Sequence, residues 1–221
     1  VTAATADVTI TGETASNFFG IALATSDLNA DGGTDLVVGA SVYSSSTGRA
    51  YIFYNGSIIT EAASGANIVI TGEASSSFGR SLAAGDLNTD GRTDLVVGAI
   101  GYSSSTGRAY IFHNDGSIPT TAATADVTIT GETTGDSFGA SFVTGDFNAD
   151  GRTDLAVGAN GYSTSTGRAY IFHNDGSIPT TAATADVIIT GEASSQFGLG
   201  SLVVGDLNAD GRADLIVSAY G

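Results

Sequence analysis

The stretch "GDLNTDGRTDLVVGA", Gly85 to Ala99, sets Asp86, Asn88, Asp90 and Asp94 close together and then runs straight into apolar residues. Carboxylates this close repel one another unless a positive charge sits between them. The pattern recurs as "SDLNADGGTDLVV" at Ser26 to Val38, "GDFNADGRTDLAV" at Gly145 to Val157 and "GDLNADGRADLIV" at Gly205 to Val217. As a unit it reads D-x-N-x-D-G-x-x-D.

Positions 1, 3 and 5 of the unit supply side-chain oxygens. The glycine at position 6 permits a sharp turn, because it has no Cβ to clash at positive φ. Position 7 can turn its backbone carbonyl inward, and the aspartate at position 9 closes the loop. Hard oxygen donors on a flexible loop suit Ca²⁺ better than Mg²⁺, which demands near-ideal octahedral geometry. Four candidate sets follow, for up to four Ca²⁺. The first is Asp27, Asn29, Asp31, Gly33 and Asp35, and the second Asp86, Asn88, Asp90, Arg92 and Asp94. The third is Asp146, Asn148, Asp150, Arg152 and Asp154, and the fourth Asp206, Asn208, Asp210, Arg212 and Asp214. The loop is not an EF-hand: position 12 is Val38, Val97, Val157 or Val217, where an EF-hand needs glutamate. The plainer alternative is a polar turn whose side chains bond their own backbone amides.

The repetition extends beyond the loops. Phe19-Gly20, Phe78-Gly79, Phe138-Gly139 and Phe197-Gly198 are spaced 59, 60 and 59 residues apart. "GRAYIFHNDGSIPTTAATADV" occurs at Gly107 to Val127 and again at Gly167 to Val187. Each repeat reads as four short strands. In the second they are Phe78 to Asp86, with small residues alternating, and Asp94 to Ala99, continuously apolar and so buried on both faces. The others are Arg108 to His113, rich in aromatic and branched residues, and the alternating Asp126 to Thr130. Turn formers separate them. "TTAATAD" is too short for a stable helix. Four strands in about 60 residues predict an all-β fold, a β-propeller of four-stranded antiparallel blades. One domain spans residues 1–221, with repeats at about 1–66, 67–125, 126–185 and 186–221, the last incomplete.

The net charge is −16, from 23 acids and 7 arginines without lysine, which argues against nucleic acid or an anionic membrane as partner. Twelve of the 23 acids lie in the four loops, so four divalent cations would halve that charge. The absence of cysteine excludes disulfides, thiolate metal sites and thiol catalysis. No apolar run reaches membrane-spanning length. The first residue is Val1, and a mature or excised segment is expected.

"FG" followed by "SLAAGDLNTDGRTDLVVGA" (Ser81 to Ala99) resembles the FG-GAP repeat of integrin α-subunit propellers and related bacterial proteins. The "GAP" portion here is Gly39-Ala40, Gly98-Ala99 and Gly158-Ala159, each without the proline, and Ser218-Ala219 in the last repeat. The resemblance implies a Ca²⁺ loop in the first hairpin of each blade, held by the side chains at positions 1, 3, 5 and 9 and the carbonyl at position 7. It also implies an extracellular or cell-surface setting and a protein or glycan ligand. Propellers of this family usually have seven blades. Here a fourth strand, Asp7 to Thr11, opens the chain, and a second strand, Asp214 to Ala219, is its last. Three complete blades and part of another are expected, as a fragment, a small ring, or a propeller completed by self-association.

Calcium takes the turns at one end of the strands. The other end carries "YSSSTGR" and "YSTSTGR", making Tyr43, Tyr102, Tyr162, Arg49, Arg108 and Arg168 candidate ligand-binding residues. The plainer reading has the tyrosines packing between blades and the arginines bonding a glutamate such as Glu73 or Glu132. His113 and His173 end third strands and read as solvated. No catalytic arrangement is visible, so the expectation is a binding or adhesion module and not an enzyme. The alternative is a structural surface or assembly component. "NGS" at Asn55 to Ser57 is a glycosylation sequon.

Overall fold

The computed structural model describes residues 6, 8–56 and 62–221. Strands β1 (Phe19–Ser26), β2 (Asp35–Ala40), β3 (Arg49–Phe53) and β4 (Ile68–Thr71) form one antiparallel sheet in that order. The second sheet is β5 (Phe78–Gly85), β6 (Asp94–Ala99), β7 (Arg108–Phe112) and β8 (Val127–Thr130). The third is β9 (Phe138–Gly145), β10 (Asp154–Ala159), β11 (Arg168–Phe172) and β12 (Val187–Thr190). A two-stranded sheet, β13 (Leu202–Gly205) and β14 (Asp214–Val217), follows. The chain is all-β, and the sheets are arranged as successive propeller blades. Among the described residues no helix is long and apolar enough to cross a membrane.

The continuous apolar runs are explained by what lies on either side. All six residues of β6 are buried. Leu95 and Val97, with Tyr110 and Phe112 of β7, pack on Val37, Ile52 and Ile70 of the first sheet. Val96, Ala109 and Ile111 turn the other way, onto Phe138, Leu155, Val157 and Tyr170 of the third. Alternate side chains of one strand thus feed two different cores. Each fully buried apolar side chain contributes about 1.5–3 kcal/mol. The phenylalanine of "FG" anchors this packing: Phe78 meets Tyr110 edge-on at 5.4 Å and Phe112 at 6.2 Å. Phe138 repeats the arrangement with Tyr170 and Phe172.

The glycines of the repeat are where sheets touch. Gly79 has φ +84°, and a Cβ there would stand 2.3 Å from the carbonyl oxygen of Arg49 in the preceding sheet. A Cβ on Gly98 would stand 2.3 Å from the Gly139 carbonyl oxygen of the next sheet and 2.1 Å from Ser81 Oγ. Parallel bridges Gly48 to Phe78, Gly107 to Phe138 and Gly167 to Phe197 join neighbouring sheets at the same level. Gly98→Ala is therefore expected to cost about 2–3 kcal/mol, as overpacking does. Gly205→Ala, with nothing within 4 Å of its Cβ, should stay within about 0.5 kcal/mol of the parent. Urea denaturation of the two variants checks the contrast.

One expectation changes, and two connections take local forms the sequence did not announce. The N-terminal "DVTIT" is not a fourth strand: Asp7 lies outside the described residues, residues 8–10 form no ladder, and Thr11 makes a parallel bridge to Ala62. Its later copies each pair with the Arg-Ala-Tyr-Ile-Phe strand before them. "TTAATAD" contains a single 3₁₀ turn, Ala122–Thr124, repeated at Ala182–Thr184. The serine-rich link before β7 is a left-handed turn, with Ser103, Ser104 and Ser105 at φ 48°, 57° and 63°. The sequon lies partly outside the described residues, at Ser57, with Asn55 in a turn.

Candidate metal centres and the opposite face

Each acidic loop is the hairpin between the first and second strands of a sheet. In the second, Asp86 Oδ1 accepts the Asp90 N–H at 3.2 Å and Oδ2 the Gly91 N–H at 2.9 Å. Asn88 Oδ1 accepts the Asp90 N–H at 3.0 Å, and its Nδ2 donates to Asp90 Oδ2 at 3.1 Å. Asp90 Oδ1 accepts the Arg92 N–H at 2.8 Å. Asp94 Oδ2 accepts the Leu87 N–H at 2.9 Å, and Oδ1 the Asn114 N–H at 2.8 Å. Gly91 has φ +83°, as position 6 requires. Thr89 at position 4 is also left-handed, at φ 62°, and Ala30, Ala149 and Ala209 match it.

The first and third loops repeat this network. Asp27, Asn29, Asp31 and Asp35 accept the equivalent backbone amides, with Asn55 in place of Asn114. Asp146, Asn148, Asp150 and Asp154 do so with Asn174. In the fourth, Asp206, Asn208 and Asp210 close the turn, while Asp214 accepts the Leu207 N–H. The backbone-bonded turn named as the alternative is thus present in every copy. Gly33, Arg92, Arg152 and Arg212 offer their N–H groups to position 5 throughout.

The position-9 aspartates stand apart. Asp35, Asp94 and Asp154 are 0% exposed. Burial pushes the Asp94 carboxyl above the usual carboxylate range, against the pull of the Asn114 and Leu87 amides and the nearby His113. Exposed Asp150 is held below that range, first by the Arg152 N–H and then by the Asn148 amide and the Arg152 and His173 charges. Among the described residues the ion pairs are Arg49–Glu13, Arg108–Glu73 and Arg168–Glu132, and none reaches a loop carboxylate. A fully buried carboxylate served only by amide dipoles is costly without a counter-charge. The donor set, all oxygen and mostly anionic, fits a hard divalent cation. Among the described residues, no three His, Cys, Asp or Glu side chains are already gathered as a metal-holding group.

The opposite ends of the strands hold the tyrosine–arginine pairs. The guanidinium carbons of Arg49, Arg108 and Arg168 lie 3.8, 3.6 and 3.6 Å from the ring centres of Tyr43, Tyr102 and Tyr162. Each arginine also meets a glutamate of the preceding connection: Arg49–Glu13 at 2.9 Å, Arg108–Glu73 at 3.3 Å and Arg168–Glu132 at 2.7 Å. A second tyrosine joins the group, since Tyr110 and Tyr170 donate their hydroxyls to Glu73 and Glu132 at 2.7 Å. Sequence reasoning passed over these tyrosines, although Tyr110 follows Arg108 by two and so shares its face of the strand. It also passed over Asn114, whose Nδ2 donates to the Leu28 carbonyl at 2.9 Å and ties the second sheet to the first loop.

Tyr51 is the odd member: its hydroxyl is buried without a partner. Burial pushes its pKa up to about 12, with the nearby Arg49 guanidinium pulling the other way. Tyr110 and Tyr170 are pushed higher still, by burial first and then by their glutamates. A folded-state pKa above the unfolded value of about 10 binds the proton more tightly in the fold. The tyrosines' contribution is thus complete below pH 10; that of Tyr51 is lost as pH rises through about 12, and those of Tyr110 and Tyr170 at still higher pH. Absorbance titration at 295 nm should find these three phenols ionising only beyond the exposed ones, with unfolding.

A family model described as FG-GAP repeat matches residues 19–53, 78–112, 138–172 and 199–221. The chain is 36% identical over 152 residues to phosphatidylinositol-glycan-specific phospholipase D of Rattus norvegicus, covering 62% of this chain and 18% of that protein. It is 32% identical over 222 residues to integrin alpha-5 of Xenopus laevis, covering 93% of this chain and 20% of that protein. Against integrin alpha-7 of Homo sapiens it is 36% identical over 161 residues, 69% of this chain and 13% of that protein. The chain spans a fifth or less of the length of these relatives. The matched segments run from the first strand through the acidic hairpin to the third strand of each complete sheet, and with the fourth they cover more than half the sequence: the chain belongs to the FG-GAP repeat family.

Proposed function

We propose that the chain is a calcium-stabilised β-propeller module of the cell surface or extracellular space that recognises a protein or glycan and is not an enzyme. The observation that carries the calcium reading is the buried position-9 carboxylate, repeated in three loops without a counter-charge. Asp86, Asn88, Asp90 and Asp94, their equivalents in the other loops, and the carbonyls of Gly33, Arg92, Arg152 and Arg212 are the groups that would hold the ion. Bound there, calcium supplies the positive charge that the clustered carboxylates lack. Asp94 does the structural part, joining its own loop to Asn114 at the end of β7. Extracellular calcium, near millimolar, suits the weaker class of oxygen-donor sites.

Recognition is assigned to the opposite face, where Tyr43, Tyr102 and Tyr162 are half-buried and Ser44, Ser45, Ser103 and Ser104 are exposed beside them. Rigid aromatic rings next to small hydroxyl residues make adaptable contact surfaces. The double variant Tyr102→Ala/Tyr162→Ala, screened against a glycan array and immobilised matrix proteins in calcium, is expected to lose at least about tenfold in capture of whatever the parent retains. Unchanged capture by a folded variant counts against this face. The internal commitment of Arg49, Arg108 and Arg168 to glutamates favours a second reading, a structural assembly component. Sedimentation over a range of concentrations separates the two, since only the second requires ordered self-association.

A further inference from the structure

The first strands of all four sheets line one cavity of about 250 Å³, walled by Ile21, Leu23, Leu82, Phe142 and Ser201, with Arg80 among them. Every one of these strands is the edge of its sheet, because β1, β5, β9 and β13 each pair on one side only. Their inner backbone edges therefore border this space, with Thr144 and Ser81 hydroxyls of neighbouring first strands reaching the Ala84 and Gly139 carbonyls. The position of Arg80 is unusual within the repeats: its equivalents are Ile21, Ala140 and Leu199. The other half-buried arginines, Arg49, Arg108 and Arg168, are spent on glutamates. Among the described residues, Arg80 is half-buried with neither a hydrogen bond nor an ion pair to its side chain.

The charge around it is favourable despite the acidic total. Arg80 lies near the start of β5, and the loop carboxylates begin at Asp86, six residues on. At about 3.3 Å per residue that is roughly 20 Å, more than twice the screening length of about 8 Å at physiological salt. Of the acids in the connections at its own end, Glu13, Glu73 and Glu132 are paired with arginines, while Asp136 and Glu192 are in no ion pair among the described residues. A lone guanidinium in a concave, mostly polar site with Leu82 and Phe142 on its wall pairs best with a planar carboxylate, which its fork can bind through two parallel hydrogen bonds. The cavity is below the roughly 300–1,000 Å³ of drug-sized pockets, so it admits a group of one residue's size.

We infer that this axial cavity is a binding site for a single carboxylate-bearing residue, with Arg80 as its anchor and Leu82 and Phe142 against its apolar part. A uronic acid and an acidic amino acid both carry that group. The site is independent of the tyrosine face and of the calcium loops. Isothermal titration of the calcium-loaded chain at low salt tests it with sodium D-glucuronate, N-acetyl-L-glutamate and uncharged D-glucose, on the parent, Arg80→Gln and Arg80→Lys. One of the two carboxylates is expected to bind, at least about tenfold more weakly to Arg80→Gln, with Arg80→Lys between, and glucose not at all. Which carboxylate binds identifies the source. Thermal melts of the variants should match the parent, since Arg80 has no partner to lose. Equal binding of glucose, undiminished binding to Arg80→Gln, or no binding of either carboxylate overturns the site, while calcium-dependent melting is scored separately and stands or falls alone.

Discussion

Removing calcium is expected to lower the melting temperature of this chain by about 10 °C or more. A ligand that binds only the folded state at 100 times its Kd stabilises by about 2.7 kcal/mol per site. For a chain of this size each kcal/mol moves the midpoint by about 2–4 °C, so one site accounts for about 5–10 °C. Four sites in successive sheets act on neighbours that support each other, and the loss spreads along the array. The physical reason lies in the loops. Without the ion, three carboxylates share one short hairpin, and one of them is shut away from water with amides for company. The check is a calorimetric melt before and after chelation, with metal content measured on the same samples. An unchanged midpoint after verified removal refutes the calcium reading.

The second large effect is expected at Asp94. Replacing it by alanine leaves the Leu87 and Asn114 N–H groups unpaired in a buried setting. Each such orphan costs about 1–3 kcal/mol, so Asp94→Ala should destabilise by about 4 kcal/mol. It also cuts a side-chain link between the first hairpin of that sheet and the turn that follows β7. Asp214→Ala is the internal control. Asp214 is only half-buried and serves one amide, that of Leu207, so about 1 kcal/mol is expected. Both variants belong in urea titrations run with calcium and with excess chelator. A difference that persists in chelator belongs to the hydrogen bonds, and one that vanishes there belongs to the ion. Equal losses for the two aspartates in chelator would mean that burial at position 9 does not matter.

Much of this architecture could be read from residues alone, for identifiable reasons. Period-two alternation and uninterrupted Leu-Val-Val runs mark strands directly, and the strand ends fall within a residue of expectation in the second sheet. Gly91 announced the loop turn because only glycine takes its φ cheaply. What could not be read is conformation that runs against intrinsic preference. Ser103 to Ser105 are left-handed although each such residue costs about 1–2 kcal/mol. The Gly107 N–H to Tyr102 carbonyl bond and the Thr106 hydroxyl on the Ser103 carbonyl hold the turn, and neither has a sequence signature. Thr89 at position 4 of the loop is hidden for the same cause. The glutamates that receive the arginines were within view, because Glu73 and Glu132 sit at matching places in the repeats. Their tyrosine partners needed the fold, which alone brings the connection from one sheet over the next.

The third strands β7 and β11 carry the same five residues, and the segments leading to the fourth strands match as well. Side-chain recognition therefore cannot tell β8 which of the two to join. What distinguishes them is contour: residues 113–126 close the native pair, and residues 131–167 the swapped one. Loop-closure entropy grows by only about 0.6 kcal/mol per doubling of length, so the native choice is favoured locally by about 1 kcal/mol. Refolding from denaturant should consequently pass through crossed pairings, and a dilute, slow refold should yield more native chain than a rapid concentrated one. Near-identity of the units, which makes the finished stack regular, leaves its assembly to be sorted by tether length.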